Sequence, residues 1–306
     1  MNDMEAIQHL EQADQYRVMQ RLKAPDHYNP GKPDTARIGM VLDTETTGLD
    51  TGKDKIIELG FVVFEYDAHT GKIYHILKRF GGFEDPKEPL SDVVKQVTGI
   101  TDEMLTGQHL DDDEINLWLK KADLVIAHNA AFDRQMMERR LPASCNANWA
   151  CTIHDIHWEN EDVGSRKLDY IAYRLGYFFD GHRAVNDAEA TLHLLSKPLP
   201  VSGSLALSVL LSNAREKSRR FFAVGAPFDK KDELKERGYR WLADFYYIDQ
   251  YGKQKSGVWS RSVCEADVEA EQTWLTGNIY VGKEPVFSYT DVSATKRYSD
   301  REFKAV

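Results

Sequence analysis

Two carboxylates stand one residue apart in Asp43-Thr44-Glu45, directly after residues 37–42 (RIGMVL), an apolar run typical of a buried strand. Side chains two residues apart on a strand point to the same face, so Asp43 and Glu45 are expected to converge. Converging carboxylates repel each other unless one is protonated or a cation lies between them. Divalent ions held by carboxylate oxygens are the usual arrangement for displacement at phosphorus. Taken alone the pair is a weak signal, because a strand-end carboxylate is more often structural.

Two later segments add residue types that this chemistry needs. Residues 127–133 (AHNAAFD) end in an aspartate, and residues 181–188 (GHRAVNDA) contain a histidine and an aspartate. With residues 41–49 (VLDTETTGL), they resemble the three exonuclease motifs of the DEDDh family, the DnaQ-like family of polymerase III proofreading subunits. All four acidic positions and the histidine match, in order and at ordinary spacings. The resemblance covers about residues 37–196, and the combination is specific although each motif alone is not.

The resemblance implies a ribonuclease H-like fold and a 3′-to-5′ exonuclease that releases nucleoside 5′-monophosphates with two Mg²⁺ or Mn²⁺ ions. The implied metal ligands are Asp43, Glu45, Asp133 and Asp187. Asp43 and Asp187 would hold the ion that activates a water. Asp43 would be the main ligand of the second ion, at the leaving 3′-oxygen. Glu45 and Asp133 would complete the shells, Glu45 also meeting the terminal 3′-hydroxyl and Asp133 acting through water.

A histidine completes the expected catalytic set. His182 lies five residues before Asp187, just ahead of a predicted helix, so it can reach over a site that holds Asp187. An imidazole takes up a proton near neutral pH, and general-base catalysis typically contributes about 10²- to 10⁴-fold. We assign His182 as the general base.

Substrate contacts are expected from a Gly-containing turn, which permits close approach of a nucleotide to the backbone. Residues 97–101 (VTGIT) resemble the family segment that contacts the terminal base. His128 and Asn129 are expected to orient the second-motif turn rather than to react. The expected substrate-binding residues are Thr46, Thr47, Gly48, Leu49, Thr98, Ile100, His128 and Asn129.

Alternatives stay open at this point. Asp43 at a strand end, Asp133 at a helix start and His182 in a loop each have a structural interpretation, although their combination favours a site. DNA with a single-stranded or frayed 3′ end is the preferred substrate. An exoribonuclease is the runner-up, because the metals act on the phosphate whereas DNA and RNA differ at the 2′ position. A nucleic-acid-binding or interaction protein that does not cleave is the third hypothesis.

The elements that must position these residues follow from the periodicity of the apolar residues. Three strands in an antiparallel meander, followed by alternating helices and strands, predict an α/β fold: a mixed five-stranded sheet with flanking helices. The predicted strands are residues 37–42, 56–66, 72–80, 123–127 and 149–153. The predicted helices are residues 91–97, 102–105, 113–119, 132–141, 168–175 and 184–195, with a further N-terminal helix within residues 4–22.

We predict three regions: an N-terminal helix and linker (1–35), an exonuclease domain (36–197) and a small α+β accessory domain (198–306). Two prolines and three small residues in 197–204 (KPLPVSGS) mark the second boundary. Basic and aromatic residues alternate in the accessory domain, which suits a groove for single-stranded nucleic acid and the core of a small domain equally well. Residues 274–280 (WLTGNIY) predict a helix end that runs into a last strand.

Composition and charge limit the classes of function that the protein can have. The 306 residues are 42% hydrophobic and 29% charged, which is ordinary for a globular protein. The formal net charge of −10 argues against a protein that coats duplex nucleic acid through a basic surface. Lys and Arg number 22 against 34 Asp and Glu in residues 1–200, but 17 against 15 in residues 201–306. Nucleic acid 3′ ends, gripped through metals, therefore remain the expected partner.

The sequence also leads to expectations about the protein's location and the redox state of its cysteines. No apolar run reaches the roughly 18 residues of a membrane span, and the first residues lack a signal-peptide pattern, so a cytoplasmic protein without a membrane partner is expected. The three cysteines are expected to be reduced thiols. Cys145, Cys151, His154 and His157 offer zinc-ligand types at a non-standard spacing, and a buried thiol is preferred. The accessory domain's partner is unidentified, and the sequence allows a homodimer.

Overall fold

The computed structural model describes residues 3–13, 15–248, 252–282 and 284–302. The chain divides into two compact units, Met1–Ala214 and Arg215–Val306. Each unit has its own main β-sheet and its own hydrophobic core.

The N-terminal segment differs from the predicted helix and free linker. Helix α1 spans Asp3–Gln12, so it is shorter than the predicted helix. Strand β1 (Gln20–Arg21) pairs in parallel with residues 177–178. Further on, the Tyr28 amide donates to the Tyr74 carbonyl at 2.8 Å. Because its backbone groups find partners in this way, the predicted linker lies against the first unit.

The first unit is built on a five-stranded sheet. Its strands are β2 (Ala36–Thr46), β3 (Ile56–Asp67), β4 (Ile73–Phe83), β5 (Leu124–Ala127) and β6 (Trp149–Cys151). Strands β2, β3 and β4 form the antiparallel meander, β5 runs parallel to β2, and β6 runs parallel to β5. The strand order β4-β3-β2-β5-β6 confirms the predicted mixed sheet of the ribonuclease H-like fold.

Helices flank this sheet. They are α2 (Asp92–Thr98), α3 (Asp102–Leu105), α4 (Asp112–Lys121), α5 (Ala130–Arg140), α6 (Leu168–Arg174), α7 (Ala184–Leu195) and α8 (Ala206–Arg215), with the short strand β7 (Tyr177–Phe178) before α7. Ser91, Thr101 and Asp111 cap α2, α3 and α4, each accepting a bond from the amide three residues on. Strand β3 is buried over nearly its whole length because helices cover the sheet.

The boundary between the units lies further along the chain than predicted. The Pro-rich turn at residues 197–204 is followed by α8, which the prediction placed in the accessory domain. Leu207 and Leu210 of α8 are fully buried in the same core cluster as Leu192 and Leu195 of α7. The first unit therefore extends to Ala214, since the apolar face of α8 completes its core.

The second unit is a small α+β arrangement, as predicted. Its strands β8 (Ser218–Ala223), β9 (Arg240–Ile248), β10 (Gln254–Cys264) and β11 (Ser288–Val292) form an antiparallel sheet of order β11-β8-β10-β9. Helices α9 (Lys231–Glu236) and α10 (Val268–Trp274) belong to it as well. Its core contains Phe221, Leu234, Tyr239, Val263 and Leu275.

Residues 274–280 were predicted wrongly as a helix end followed by a strand. Helix α10 continues as a π-helical turn over Leu275–Ile279, and β11 begins only at Ser288. Leu275 and Ile279, four residues apart, are both buried in the core of the unit. Helical spacing of the apolar residues thus prevails over the β-branched composition of the segment.

Two expectations on composition are tested by the structure. Among the helices in the described residues, none has the length and apolar character needed to cross a bilayer. None of the three cysteines, all within the described residues, forms a disulfide, and Cys151 is buried with its thiol directed at the His128 carbonyl at 3.4 Å. Burial raises the pKa of Cys151. Over the described part of the chain, the residues of the candidate zinc site do not form a ligand cluster.

Candidate active site

Three of the predicted metal ligands meet at the end of β2. The candidate ligand atoms of Asp43, Glu45 and Asp187 all lie within 4.8 Å of one another. Asp43 and Glu45 share one face of the strand, as their spacing predicts, and Asp187 comes from the first turn of α7. A set of carboxylate oxygens is the donor set that Mg²⁺ and Mn²⁺ prefer, so the residues fit the implied metals.

Helix α7 delivers Asp187 because it lies unusually close to β3. A Cβ placed on Gly60 would stand 2.1 Å from the Val185 amide nitrogen, closer than non-bonded atoms approach. Gly60 is paired with Asp43 across the sheet. The glycine therefore removes the side chain that would otherwise hold the first turn of α7, and with it Asp187, away from Asp43.

The fourth carboxylate lies beside this group. Asp133, on α5, is 3% exposed, and its Oδ1 accepts bonds from the Thr44 amide at 3.1 Å and the Thr44 hydroxyl at 2.8 Å. Thr44 is the residue between Asp43 and Glu45, so the bonds tie α5 to the end of β2. The negative charge of Asp133 acts on Asp43. All four acidic residues predicted from the sequence are therefore brought together.

Burial and mutual repulsion raise the proton affinity of this cluster. The pKa of Asp43 lies well above its usual range because the carboxyl is buried and faces Asp133 and Asp187. Burial, together with the charge of Asp187, raises the pKa of Glu45 to about 8. Burial raises the pKa of Asp133 to about 7 and that of Asp187 to about 6. Without a cation the cluster holds protons, and divalent ions would replace them.

His182 lies at the rim of the cluster. It is exposed, stands two residues before α7, and adopts a left-handed backbone conformation with φ of 63°. Its charge and its backbone amide both lower the pKa of Asp187, so the two residues are neighbours. The predicted general base is thus an accessible imidazole beside the carboxylates, which is the placement that proton transfer from a water requires.

The turn after β2 is hydrogen-bonded internally and ends in an exposed leucine. The Thr46 hydroxyl donates to the Gly48 carbonyl at 2.6 Å, and Thr47 donates to Asp54 at 3.1 Å. Leu49 is 88% exposed. Leu49 is thus an accessible apolar side chain four residues after Glu45 in the chain.

Two predicted substrate contacts lie inside the unit instead. Ile100 is fully buried in a cluster with Ile57, Leu90 and Leu105. Thr98 is 7% exposed, and its hydroxyl accepts the Ile100 amide at 3.1 Å. The side chains at these positions are therefore not open to a substrate, because they are needed to pack the segment after α2.

Hydrogen bonds hold the ring of His128, the first residue of the second-motif pair, inside the fold. The two ring nitrogens of His128 are hydrogen-bonded, Nδ1 to the Thr152 hydroxyl at 2.7 Å and Nε2 to the Arg166 carbonyl at 2.8 Å. Burial lowers the pKa of His128 to about 4. With both nitrogens engaged, His128 fixes the turn that precedes α5. Asn129 follows it, is exposed, and stands at the N-terminus of α5.

Two site-adjacent residues escaped the sequence interpretation. Glu58, opposite Glu45 in the register of β2 and β3, is only 2% exposed. Its carboxylate accepts three hydrogen bonds from the guanidinium of Arg183, the residue after His182, and the shortest is 2.9 Å. A signal was available, since a glutamate interrupts the apolar strand segment 56–64 (IIELGFVVF). Its partner, 125 positions away, gave no such signal.

Comparison with known proteins identifies relatives of the first unit. The family model described as Exonuclease (RNase_T) matches residues 40–195. Curated relatives include DNA polymerase III PolC-type of Staphylococcus epidermidis, 32% identical over 188 residues, and that of Staphylococcus aureus, 33% identical over 166 residues. These alignments cover 57% and 52% of this chain but only 12% and 11% of those polymerases.

The solved structures similar to this chain include two exonucleases. Exonuclease X in complex with 5′-overhanging duplex DNA is 23% identical, with a TM-score of 0.40, and the match covers 58% of this chain and 92% of that one. Exonuclease I is 14% identical, with a TM-score of 0.46, and the match covers 60% of this chain and 48% of that one.

Proposed function

Because the chain belongs to this exonuclease family, of the DEDDh type, we propose that it removes nucleotides one at a time from the 3′ end of DNA. The observation that carries the proposal is the convergence of Asp43, Glu45, Asp133 and Asp187 with an accessible His182 at the rim. The family comprises metal-dependent nucleases, and this set of residues is what metal-assisted hydrolysis of a phosphodiester needs.

The four carboxylates form a cation site. Asp43, Glu45 and Asp187 would hold two Mg²⁺ or Mn²⁺ ions, with Asp133 supporting the shell from its place beside Thr44. When bound, the ions would lower the pKa of a coordinated water and stabilise negative charge on the departing 3′-oxygen. The protein contributes a half-buried site whose carboxylates repel each other until cations arrive.

The proton of the attacking water goes to His182. As the water oxygen bonds to the terminal phosphorus, the bond from phosphorus to the 3′-oxygen of the preceding nucleotide breaks. The products are a nucleoside 5′-monophosphate and a strand whose 3′-oxygen takes a proton from solvent to become a new 3′-hydroxyl. His182 suits this step because its ring is exposed beside Asp187, whereas the ring nitrogens of His128 are hydrogen-bonded within the fold.

DNA with a single-stranded or frayed end is the proposed substrate. The two curated relatives with 32% and 33% identity are DNA polymerases by name, which supports DNA over RNA. Leu49, exposed four residues after Glu45, supports a frayed end because an apolar side chain can wedge between bases and separate them. Glu45 is proposed to contact the terminal 3′-hydroxyl and so to select strand ends.

The proposal is tested with 5′-labelled and 3′-labelled single-stranded DNA, duplex DNA and RNA, in Mg²⁺, Mn²⁺ or chelator. We expect a metal-dependent ladder on 5′-labelled DNA and release of labelled mononucleotide from the 3′ label. His182→Ala should lower kcat about 10²- to 10⁴-fold. Glu65→Gln is the control. Glu65 lies on β3 opposite Ile38, five residues before Asp43 in the register of β2, so this variant should cleave like the wild type.

Three outcomes would redirect the proposal. Cleavage of RNA in preference to DNA would replace the substrate, and nucleic-acid binding without metal-stimulated release would indicate a non-cleaving protein. Unchanged activity of His182→Ala, with contaminating nucleases excluded, would remove the assigned base.

A further inference from the structure

Glu58 is a charged residue in an apolar place. It lies on β3 between Ile57 and Leu59, each fully buried, and is itself 2% exposed. A carboxylate removed from water is costly unless other groups pair with it and hydrogen-bond to it. Its environment must therefore supply donors, and their identity shows what the residue does.

The donors come from two consecutive residues at the start of α7. The Arg183 guanidinium donates through Nη2 to Oε1 at 2.9 Å and through Nε at 3.2 Å and 3.3 Å to the two oxygens. The Ala184 amide donates to Oε2 at 3.1 Å. This amide is one of the unpaired N–H groups of a helix N-terminus, where negative charge is favoured. Glu58 therefore binds both a side chain and the backbone of the same turn.

The same turn carries the proposed base. His182 immediately precedes Arg183 and adopts φ of 63°, a left-handed conformation that is uncommon for a non-glycine residue and persists only where the surroundings impose it. The Arg183 amide donates to Asp187 Oδ2 at 3.1 Å. The residues that follow His182 are thus held on one side by Glu58 and on the other by Asp187.

Glu58 is not a further metal ligand. Both of its oxygens accept hydrogen bonds from Arg183 or Ala184, and the three-residue ligand group found in the described part of the chain excludes it. Its hydrogen bonds go to this turn, and its negative charge also raises the pKa values of Asp43, Glu45 and Asp187.

We propose that Glu58 is a positioning residue, which through Arg183 and Ala184 fixes the turn that holds His182 over the carboxylate cluster. The inference rests on the proposed function, since it gives Glu58 its effect through the general base. Loss of Glu58 frees the turn, so His182 leaves its place for much of the time. Misplacement of a catalytic group by about 1 Å can cost about 10²-fold in rate.

The kinetic test combines Glu58→Ala with His182→Ala. Glu58→Ala should lower kcat about 10- to 100-fold and leave KM within about twofold, because the change affects the transition state rather than substrate binding. In the His182→Ala background the same substitution should cost less than about threefold, since both act through one group. Losses that multiply in the double variant would overturn the inference. Glu65→Gln again serves as the matched control on β3.

A second measurement does not depend on activity. Amide hydrogen exchange of residues 181–187 should be at least about tenfold faster in Glu58→Ala than in the wild type, with little change in β5 and β6. If Glu58→Ala does not fold, Glu58→Gln and Arg183→Lys replace it, each keeping bulk while weakening the charge-assisted bonds. Unchanged exchange in these folded variants would overturn the inference.

The two measurements separate the inference from the proposed function. A wild type that cleaves no substrate, together with faster exchange in the Glu58 variants, would reject the exonuclease proposal and retain the positioning of the turn. A wild type that cleaves DNA, together with Glu58 variants that match it in kcat and in exchange, would reject only the role of Glu58.

Discussion

Buried carboxylates occur in both units, and the two units treat them in opposite ways. In the second unit Glu271, on α10, is 1% exposed and accepts bonds from the Tyr239 hydroxyl at 2.9 Å, from Arg261 at 2.9 Å and from Arg237 at 3.1 Å. One carboxylate thus has two cations. In the first unit, Asp43 is surrounded by other carboxylates, and their repulsion raises its pKa further.

The difference shows where the balancing charge comes from. The chain itself neutralises Glu271, as it neutralises Glu58 with Arg183, so these groups stabilise local structure. The cluster around Asp43 is left to be balanced by protons or by ions from solution. A group of buried carboxylates without matching arginines is thus better evidence for function than any single buried charge.

The same comparison extends to the cations of the accessory domain. Several of the cations that suggested a groove for single-stranded nucleic acid form ion pairs within the second unit. The pairs are Arg219 with Asp291 and Glu265, Arg220 with Glu302, Lys230 with Glu233, and Arg237 with Glu271. The interpretation as a folded core therefore accounts for these residues. Trp241, 52% exposed on β9, is an aromatic that this core does not bury.

The largest contrast is expected from removing one carboxylate in each unit. Glu271→Gln should lower the free energy of unfolding of the second unit by about 3 kcal/mol, because Arg237 and Arg261 lose their shared partner. Asp43→Asn, in chelator, should leave the stability of the first unit equal or higher, because the substitution removes repulsion. Urea unfolding of the 306-residue chain, followed by hydrogen-exchange mass spectrometry, reports the two units separately. A loss of stability in Asp43→Asn of the same size would erase the contrast.

Features that depend on residues close together in the sequence were predictable, whereas features that depend on distant residues were not. The shared face of Asp43 and Glu45 was predicted from strand alternation, and the surrounding strands and helices were predicted from periodicity. Both signals extend over only a few residues. The convergence of four carboxylates followed from the motif resemblance, and the helix over residues 184–195, which carries Asp187, followed from its apolar spacing.

Pairings between distant segments were not predictable in this way. Glu58 finds Arg183 across 125 positions, and helix α8 joins the first core because its apolar face matches that of α7. Ile100 was expected at the substrate and lies in the core, because a short motif shows which residues are close in sequence and not which side they face. The local pattern of such residues is compatible with more than one tertiary role.

Metal addition should stabilise only the first unit. At a Mn²⁺ concentration about 100 times the dissociation constant, a ligand that binds only the folded state adds about 2.7 kcal/mol. The free energy of unfolding of the first unit, measured by hydrogen exchange, should rise by that amount, and that of the second unit should stay unchanged. Asp187→Asn should reduce the shift, whereas Glu271→Gln should not. Equal stabilisation of both units would mean that Mn²⁺ acts elsewhere than at the carboxylate cluster.

The smallest effect is a pH dependence that distinguishes the two kinds of carboxylate. In chelator between pH 7 and 8.5, the folded first unit binds more protons than the unfolded chain, because the pKa values of Asp43 and Glu45 are raised, the latter to about 8. Stability therefore falls as pH rises, by at most about 1.4 kcal/mol per pH unit for each group. His128 and His193, whose lowered pKa values act in the opposite direction, are mostly neutral in both states above pH 7, so they offset only a small part of the slope.

Asp43→Asn identifies the source of that slope. In chelator, the fall in the stability of the first unit between pH 7 and 8.5 should be shallower in this variant than in the wild type, since one raised carboxyl is gone. Saturating Mn²⁺ should flatten or reverse the slope in the wild type, because the ions displace the protons and bind more tightly as pH rises. A slope that is the same in the wild type and Asp43→Asn would show that groups other than this carboxylate hold the extra protons.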